Sequence, residues 1–367
     1  MKIDIILPFK ENFTISKASA VSTSVKNSIT FSSYKDDIRV YGQFVQSPML
    51  ENNFIGIKTN KFIHFSNNIS IIKNYLKLNS SKKEKKLIEV HNRPYLIKYL
   101  LKKINPNPIV LYFHNDPTKM KGSISTKDRE YILKNVSGLV FVSQFLKDKF
   151  LEGINIKSSK LFVIPNSLNI NKNALLKKRK KILFVGRIVE EKGVDIYVNA
   201  IKKVADKFPE WEFLLIGNSG SRKKIFKNNF EKKMVSKFLN IGPNTKYLGF
   251  ISNNEVLKIM EESSILVVPS LWEEPFGLTA IEGIANRMLV IGNNVGGLID
   301  IISNRGILIK KIDEEKLSKK LLELLSDPKQ IIKIQKKCLD NYIYSQDKVS
   351  LEQDLIRKNI FNKFYND

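Results

Sequence analysis

The feature of this chain that most restricts its fold is a repeated alternation of short apolar segments with segments that read as helices. Such an alternation is typical of doubly wound α/β sheets. A polar, basic stretch at residues 165–181 divides it into two series, and we interpret this stretch as an interdomain linker. The predicted strands are residues 3–7, 62–65, 87–90, 109–113, 138–142 and 161–164, followed by residues 182–185, 212–216, 245–248, 265–268 and 288–291. The predicted helices are residues 94–104, 143–151, 193–208, 253–262 and 279–286, with a mainly helical stretch at 314–364.

Length and composition also predict two domains in a reducing compartment. One hydrophobic core seldom serves more than about 250–300 residues, and this chain has 367. Its single cysteine, Cys338, excludes an internal disulfide framework. No apolar run approaches the ~18–20 residues that cross a bilayer, and the first residues read as a buried strand, not as a signal peptide. We therefore expect a cytoplasmic protein, either soluble or peripheral at the inner face of the membrane.

The chain is strongly basic, and its charge is unevenly distributed. It has 62 Lys and Arg residues against 36 Asp and Glu residues, a formal net charge of +26. Residues 70–104 hold ten of the cations and only two acids, Glu84 and Glu89. Two interpretations stay open: attraction to an anionic membrane surface, or a composition that is rich in Lys everywhere. No recognisable nucleic-acid-binding module accompanies the charge, so we expect no nucleic acid partner.

Two acids, Glu274 and Glu282, bracket a Pro-Phe-Gly segment directly after an apolar run. A strand that ends in a glycine-bearing loop and opens a helix is where α/β proteins bind nucleotide phosphates, because backbone N–H groups and the positive helix end converge there. Eight helical positions advance ~12 Å and turn the side chains about 80° apart, whereas the close carboxylate pairs of retaining glycosidases lie ~5–5.5 Å apart. We therefore expect contacts with two parts of one extended ligand, not a catalytic dyad.

A second candidate loop follows the first strand of the second series. Gly186 and Arg187 begin a turn that reaches Lys192. Two cations on a turn at the carboxyl end of a strand suit a diphosphate, which needs charge neutralisation beyond backbone donors. Considered alone, an ordinary charged surface loop is the alternative. Gly217 lies in another strand-to-glycine turn, a weaker signal because such turns are common in α/β sheets.

Two of the three histidines, His91 and His114, directly follow predicted strands of the first series. Polar residues at the carboxyl ends of strands in a doubly wound sheet face the ligand-binding crevice. Both are therefore candidates for substrate contacts, and a satisfied structural histidine is the alternative for each. Asp116 is a further polar candidate. His64, on an apolar run, reads as structural.

In order and spacing, the motifs of the second half resemble those of family 4 retaining glycosyltransferases. The resemblance is strong over about residues 180–310 and weaker before them. The motifs that carry it are residues 185–187, 191–193, 216–217, 248–250, 268–270, 274–277, 282–283 and 296–297, with 163–167 in the first half. The resemblance implies the glycosyltransferase-B fold, an α/β architecture of two Rossmann-like domains facing a cleft. We expect domains at residues 1–168 and 169–345, with a last helix at 346–367 that crosses back to the first.

The resemblance also implies a role for each site residue. Arg187 and Lys192 would hold the donor diphosphate, Glu274 the donor sugar and Glu282 the ribose. His91 matches the family's active-site histidine, which hydrogen-bonds the donor sugar near the reacting carbon. Further donor contacts are expected from Gly186, Gly217, Phe250, Ile251, Phe276, Gly277 and Leu278.

The acceptor-side candidates are Ser19, His114 and Asp116. His114 matches a histidine that is frequent in the family. Ser19 lies at residues 17–20, where many members have a glycine pair that lets the backbone approach the donor phosphate. The Ala and Ser side chains found here still permit a close approach.

The implied activity is retaining transfer of a hexose from a UDP- or GDP-linked donor to a hydroxyl of a glycan, lipid or lipopolysaccharide-type acceptor. Spacing places no carboxylate as a nucleophile, so we expect a front-face mechanism. We expect no metal and no cofactor, with Arg187 and Lys192 stabilising the leaving group. The alternatives are a sugar-nucleotide epimerase or phosphorylase of the same fold, and a non-catalytic basic protein that binds membrane or nucleic acid.

Overall fold

The computed structural model describes residues 1–59, 66–80, 84–103, 106–220 and 228–366. The chain forms two compact units, the first from Met1–Ser167 with Tyr344–Asp367 and the second from Leu168–Ile343. The predicted strand at residues 62–65, which includes His64, lies outside the described residues.

The first unit is built on a sheet in which seven described strands run parallel. Their order across the sheet is β3-β2-β1-β4-β5-β6-β7, so the chain reverses its direction of winding between β1 and β4. All five residues of β5 are buried, as expected for a parallel strand covered on both faces. The strands are β1 (Lys2–Ile6), β2 (Ile38–Gln43), β3 (Phe54–Ile57), β4 (Lys86–His91), β5 (Ile109–Phe113), β6 (Gly138–Phe141) and β7 (Leu161–Val163).

Short helices connect these strands, and several begin at side-chain caps. Ser143 caps the helix that was predicted to begin there, accepting a hydrogen bond from the Leu146 N–H group at 3.2 Å. The single helix predicted at residues 94–104 is wrong, because a 3₁₀ turn at Pro94–Leu96 precedes a helix of only five residues. The described helices are α1 (Ala20–Thr30), α2 (Asn67–Leu78), α3 (Ile97–Leu101), α4 (Thr126–Asn135) and α5 (Gln144–Leu151).

The second unit has the same plan with six described strands, all parallel. Their order is β10-β9-β8-β11-β12-β13, and the winding reverses between β8 and β11. The strands are β8 (Arg179–Val185), β9 (Glu212–Ile216), β10 (Thr245–Gly249), β11 (Ser263–Val268), β12 (Leu289–Asn293) and β13 (Ile307–Ile309). The helices are α6 (Val194–Lys202), α7 (Asn229–Leu239), α8 (Asn253–Glu262), α9 (Leu278–Ala285), α10 (Leu298–Ile302), α11 (Glu314–Ser326) and α12 (Pro328–Asp340).

The last helix, α13 (Gln346–Asn366), belongs to the first unit. Its Val349 and Ile360 are buried in the same apolar cluster as Ile3 and Ile5 of β1. Residues from the two ends of the sequence therefore share one core. Within the described ranges, no helix combines the length and apolar character that crossing a bilayer requires.

Candidate functional site

In the second unit, the loop between β8 and α6 is shaped by a glycine at its end. Gly193 has φ 64°, a left-handed conformation, and a Cβ placed there would lie 2.2 Å from the carbonyl oxygen of Pro269. Only glycine allows this approach of the loop to the end of β11. The side chain of Lys192 is thereby held beside the segment that follows Pro269, while Arg187, earlier in the loop, is exposed.

The Lys192 ammonium pairs with the Glu274 carboxylate, which lies 82 residues further along the chain. The Ser270 hydroxyl donates to the same carboxylate oxygen, Oε1, at 3.0 Å. The Leu271 N–H group donates to the carbonyl oxygen of Glu191 at 2.9 Å and ties the two loops together. The cation and the acid predicted to contact one donor are therefore direct neighbours, and we call Lys192, Ser270 and Glu274 the ion-pair cluster.

Gly217, directly after β9, lets the loop that follows β9 pack closely against the loop that follows β8. Its φ is 125°, and a Cβ there would lie 1.9 Å from the carbonyl oxygen of Gly186. Its N–H group donates to the carbonyl oxygen of Gly249 at 2.8 Å. The carboxyl ends of β8, β9 and β10 thus meet at one edge of the sheet. Phe250 follows β10 there and is 53% exposed, and Ile251 is partly exposed.

The Pro-Phe-Gly segment forms the entry to α9. Gly277, with φ 114°, is the N-terminal cap, and the first N–H groups of a helix lack intrahelical partners and carry partial positive charge. Phe276 is buried, whereas Leu278 is exposed. The Gly297 N–H group donates to the Glu274 carbonyl oxygen at 2.6 Å and fixes the segment from behind. The start of α9 therefore has the partial positive charge that favours an anion.

Glu282 lies in the second turn of α9, apart from the ion-pair cluster. Within the described part of the chain, no hydrogen bond or ion pair joins it to Glu274 or Lys192. Burial raises the pKa of its carboxyl group to about 7, and a hydrogen bond with Asn253 partly opposes this effect. Near neutral pH the group therefore exchanges between a protonated donor and an ionised acceptor.

In the first unit, the two histidines predicted at strand ends lie in contact. His91 is the last residue of β4, and its Nδ1 lies 2.9 Å from Nε2 of His114, which follows β5. The ring of Tyr112 stacks on that of His91 with centroids 4.4 Å apart. Burial lowers the pKa of both histidines, that of His114 further because His91 is close. Two neutral imidazoles satisfy this contact, because one ring N–H can donate to the bare nitrogen of the other.

The other ring nitrogen of His91, Nε2, is buried and has no hydrogen-bond partner within the described ranges. The nearest acid is Glu89, whose Oε2 lies 3.9 Å away, beyond hydrogen-bond distance. Asn92 turns the chain here with φ 53°. Its side-chain oxygen accepts a hydrogen bond from the backbone N–H group of His114 at 2.8 Å. Asn92 is a site residue that the sequence does not predict. Its signal was weak, since asparagine tolerates the left-handed region in many turns.

Next to the histidines lies a buried ionic network that the sequence does not predict. The Arg357 guanidinium of α13 donates through Nε and Nη2 to both oxygens of Glu89, at 2.8 and 2.9 Å. Its Nη1 donates to Asp354 at 3.1 Å, and the Tyr112 hydroxyl donates to Glu89 at 2.9 Å. Arg357 holds the pKa of Glu89 down at about 2 against the opposing effect of burial. No local pattern reveals a pair separated by 268 positions.

Two acceptor-side candidates have local partners. The Ser19 hydroxyl caps α1, accepting the Ser22 N–H group at 3.1 Å. Asp116 is buried, accepts the Thr118 N–H group at 2.9 Å and lies 3.4 Å from the Lys119 ammonium. Both side chains therefore stabilise the turns that contain them.

The two parallel-sheet units have the glycosyltransferase-B architecture, and solved structures of that architecture match nearly the whole chain. A sucrose-phosphate synthase from Thermosynechococcus elongatus has a TM-score of 0.73 at 16% identity, with 99% of both chains covered. An Anabaena protein solved in complex with UDP and glucose has a TM-score of 0.67 at 15% identity, again with 99% of both chains covered.

Known proteins with a similar sequence include glycosyltransferases, and they match over part of their length. Residues 166–341 match the family model described as glycosyl transferases group 1. An uncharacterized glycosyltransferase of Methanocaldococcus jannaschii is 35% identical over 234 residues, which are 62% of this chain and 61% of that protein. The chain spans about half the length of the next two curated relatives that it matches, 52% and 50%. Together these findings show the glycosyltransferase-B fold over nearly the whole chain and sequence similarity to glycosyltransferases over about half of it.

Proposed function

We propose that this protein is a retaining glycosyltransferase that moves a hexose-type sugar from a nucleoside diphosphate donor to an acceptor hydroxyl. The observation that carries the proposal is the ion-pair cluster beside the amino end of α9. A lysine ammonium, a carboxylate and a set of helix N–H groups are the groups that a diphosphate sugar needs. The resemblance of the motifs to family 4 enzymes supports the retaining outcome.

In the proposed binding mode, Lys192 exchanges part of its contact with Glu274 for the donor diphosphate. Arg187, exposed in the same loop, adds the second cation. Glu274 then accepts hydrogen bonds from hydroxyls of the donor sugar, and Glu282 accepts them from the ribose. His91 is proposed, on the family resemblance alone, as a further contact of the donor sugar.

The proposed reaction proceeds on one face of the sugar without a covalent enzyme intermediate. The bond between the anomeric carbon and the diphosphate oxygen breaks while the acceptor oxygen bonds to that carbon from the same side. The acceptor proton passes to the departing phosphate oxygen. The cations Arg187 and Lys192 stabilise the negative charge that develops there, without a metal ion in this proposal.

The binding step is tested by titrating the protein with UDP and GDP. Lys192→Ala should weaken binding of the preferred nucleotide roughly 10- to 100-fold, the value of a charge-assisted hydrogen bond. Lys202→Ala, which removes an exposed lysine at the end of α6, is the matched control and should bind as the native chain does. Equal nucleotide affinity in the Lys192 and Lys202 variants would contradict the assignment.

The transfer step is tested with a panel of UDP- and GDP-sugars and with acceptors. Nucleotide release that depends on the acceptor is expected, and Arg187→Ala and Glu274→Gln should each slow it strongly. Donor conversion without an acceptor would instead favour an epimerase. Sugar phosphate formed from glycan and inorganic phosphate would favour a phosphorylase. A product of inverted anomeric configuration would refute the retaining mechanism.

We further propose that the acceptor is a lipid-linked or cell-envelope glycan. The support is the basic segment at residues 70–104, part of which is described. Ten of its residues are Lys or Arg, and Tyr95 and Tyr99 lie among them. Lys98 pairs with Asp128 at 3.0 Å but keeps 52% of its side chain exposed. Vesicles that contain an anionic lipid should sediment the protein more than neutral vesicles do. Equal sedimentation by both would count against docking at an anionic leaflet.

A further inference from the structure

A cavity of ≈ 620 Å³ lies in the first unit, away from the strand ends that carry the histidines. Its walls come from the end of α4, from residues just before β6 and β7, and from the last turns of α13. Residues that precede two parallel strands lie at the amino-end edge of the sheet. His91 and His114 lie at the carboxyl-end edge, so the cavity is separate from the histidine pair.

The polar part of the cavity is cationic. Lys134, Lys160 and Lys363 line it, and no acid is among its lining residues in the described part of the chain. Lys160 is the most enclosed of the three, and burial together with the nearby Lys363 lowers its pKa. Like charges gathered in one cavity without a carboxylate form a site that an anion would stabilise.

The Lys160 ammonium makes two hydrogen bonds within the described part of the protein and can donate one more. Its ammonium donates to the carbonyl oxygens of Leu133 and Lys134 at the end of α4, at 3.3 and 3.2 Å. An ammonium has three N–H groups, so one remains for a ligand. The helix end contributes only about half a negative charge, which does not balance three lysines.

The remaining walls are apolar. Phe162 is partly buried against the core of the unit, and Ile360 is buried. Phe364, which also lines the cavity, is 39% exposed. A ligand that matched only the lysines would leave this aromatic surface in water. A ligand with an apolar body would cover it.

We propose that this cavity binds an organic phosphate that carries an alkyl or aryl body, with the phosphate among the three lysines and the body against the two phenylalanines. The volume suits a ligand of that size, since small-molecule sites span about 300–1,000 Å³. This binding site goes beyond the proposed sugar transfer, and its test measures binding alone.

The probe is octyl phosphate, titrated calorimetrically into the full chain. Octyl glucoside has the same chain without charge, and inorganic phosphate has the charge without a chain, so each should bind at least tenfold more weakly. The double variant Lys134→Ala/Lys363→Ala should lose at least tenfold in octyl phosphate affinity, because two charge-assisted contacts are removed. Lys358→Ala, on the same helix but outside the cavity, should lose nothing.

A second variant separates the cavity from general surface charge. Asn359→Trp keeps all three lysines but fills space at an exposed lining position, and it should also abolish octyl phosphate binding. Binding that survives in both the double variant and the Trp variant, or equal binding of octyl glucoside, would overturn the proposal. Sedimentation with phosphatidylglycerol vesicles then identifies the source of the ligand. A loss of sedimentation in the double variant indicates a membrane lipid, and unchanged sedimentation indicates a soluble organic phosphate.

Discussion

The carboxyl group of Glu282 illustrates how burial of one side chain couples stability to pH. Its pKa is about 7 in the folded chain against the ordinary value of 4.5. Between these values the folded state binds more protons than the unfolded state, so stability falls as pH rises through that window. Hydrogen bonds from the ribose hydroxyls of a donor to this carboxylate would require its ionised form. Donor binding would therefore be favoured at the high-pH end of this range, where the contribution to stability is lowest.

We therefore expect a pH-dependent difference between the native chain and Glu282→Gln. Urea denaturation between pH 5 and 7 should show native stability declining relative to the variant by up to about 1.4 kcal/mol per pH unit. Below pH 4.5 the difference should be constant. A difference that does not change across pH 5 to 7 would contradict the raised pKa.

Comparing Gly217 with Gly220 separates the cost of a positive φ from the cost of close backbone packing. Both have positive φ, 125° and 106°, but a Cβ at Gly217 would lie 1.9 Å from the Gly186 carbonyl oxygen, whereas the nearest atom at Gly220 is 4.0 Å away. Gly220→Ala should cost only roughly 1–2 kcal/mol of backbone strain. Gly217→Ala should cost several kcal/mol more, measured by thermal unfolding, and should weaken nucleotide binding. Similar melting temperatures for the two variants would contradict this.

At the scale of the elements, the sequence predicted the strands and helices that have strong local signals and missed strands that lack them. Strand residues 109–113 and 212–216 and helix residues 253–262 were predicted to the residue, because buried apolar runs and amphipathic spacing are local signals. The strands β2, β3 and β13 were missed, being short or interrupted by Gly and Arg.

The site shows the same division between local and distant signals. Strand-end histidines and glycine turns could be predicted, but the pairing of Lys192 with Glu274 and of Glu89 with Arg357 could not. Those contacts join positions 82 and 268 residues apart, and only the packed fold brings them together. The identities of these residues do not show which oppositely charged side chain each one contacts.

The Glu89–Arg357 pair predicts how firmly α13 is held to the sheet. Arg357→Met should destabilise the first unit by about 3–5 kcal/mol at pH 7, because it leaves a buried carboxylate without its cation. Circular dichroism melts will measure the loss. The double variant Glu89→Gln/Arg357→Met should recover a large part of it, and a double variant as unstable as the single one would show that packing dominates.

The same pair has its own dependence on pH. The pKa of Glu89 is about 2 in the folded chain, below its ordinary 4.5, so the stability it contributes is present above pH 4.5 and is lost as pH falls towards 2. In Arg357→Met, burial without the cation should raise that pKa. The variant should therefore approach native stability as pH falls from 7 to 5, a trend absent from the double variant.

At the scale of the whole molecule, the first unit needs residues from both ends of the sequence. A chain that lacks residues 344–367 loses Arg357, Val349 and Ile360 from the first unit and nothing from the second. Hydrogen exchange with mass spectrometry should show lost protection in β1, β4 and β5 but native protection in β8, β9 and β11. Full protection of β4 in the shortened chain would contradict this dependence.

The arrangement of α13 has a consequence for synthesis on the ribosome. Proteins are made from the amino end, and domains generally fold as they emerge. Here Glu89 is made long before Arg357, and all of residues 168–343 emerge between them. The unit translated first must therefore wait, with a carboxylate in its interior still without a cation, while the unit translated second is free to fold. Nascent chains of this protein should reach their native state in the reverse of the order in which their sheets are made.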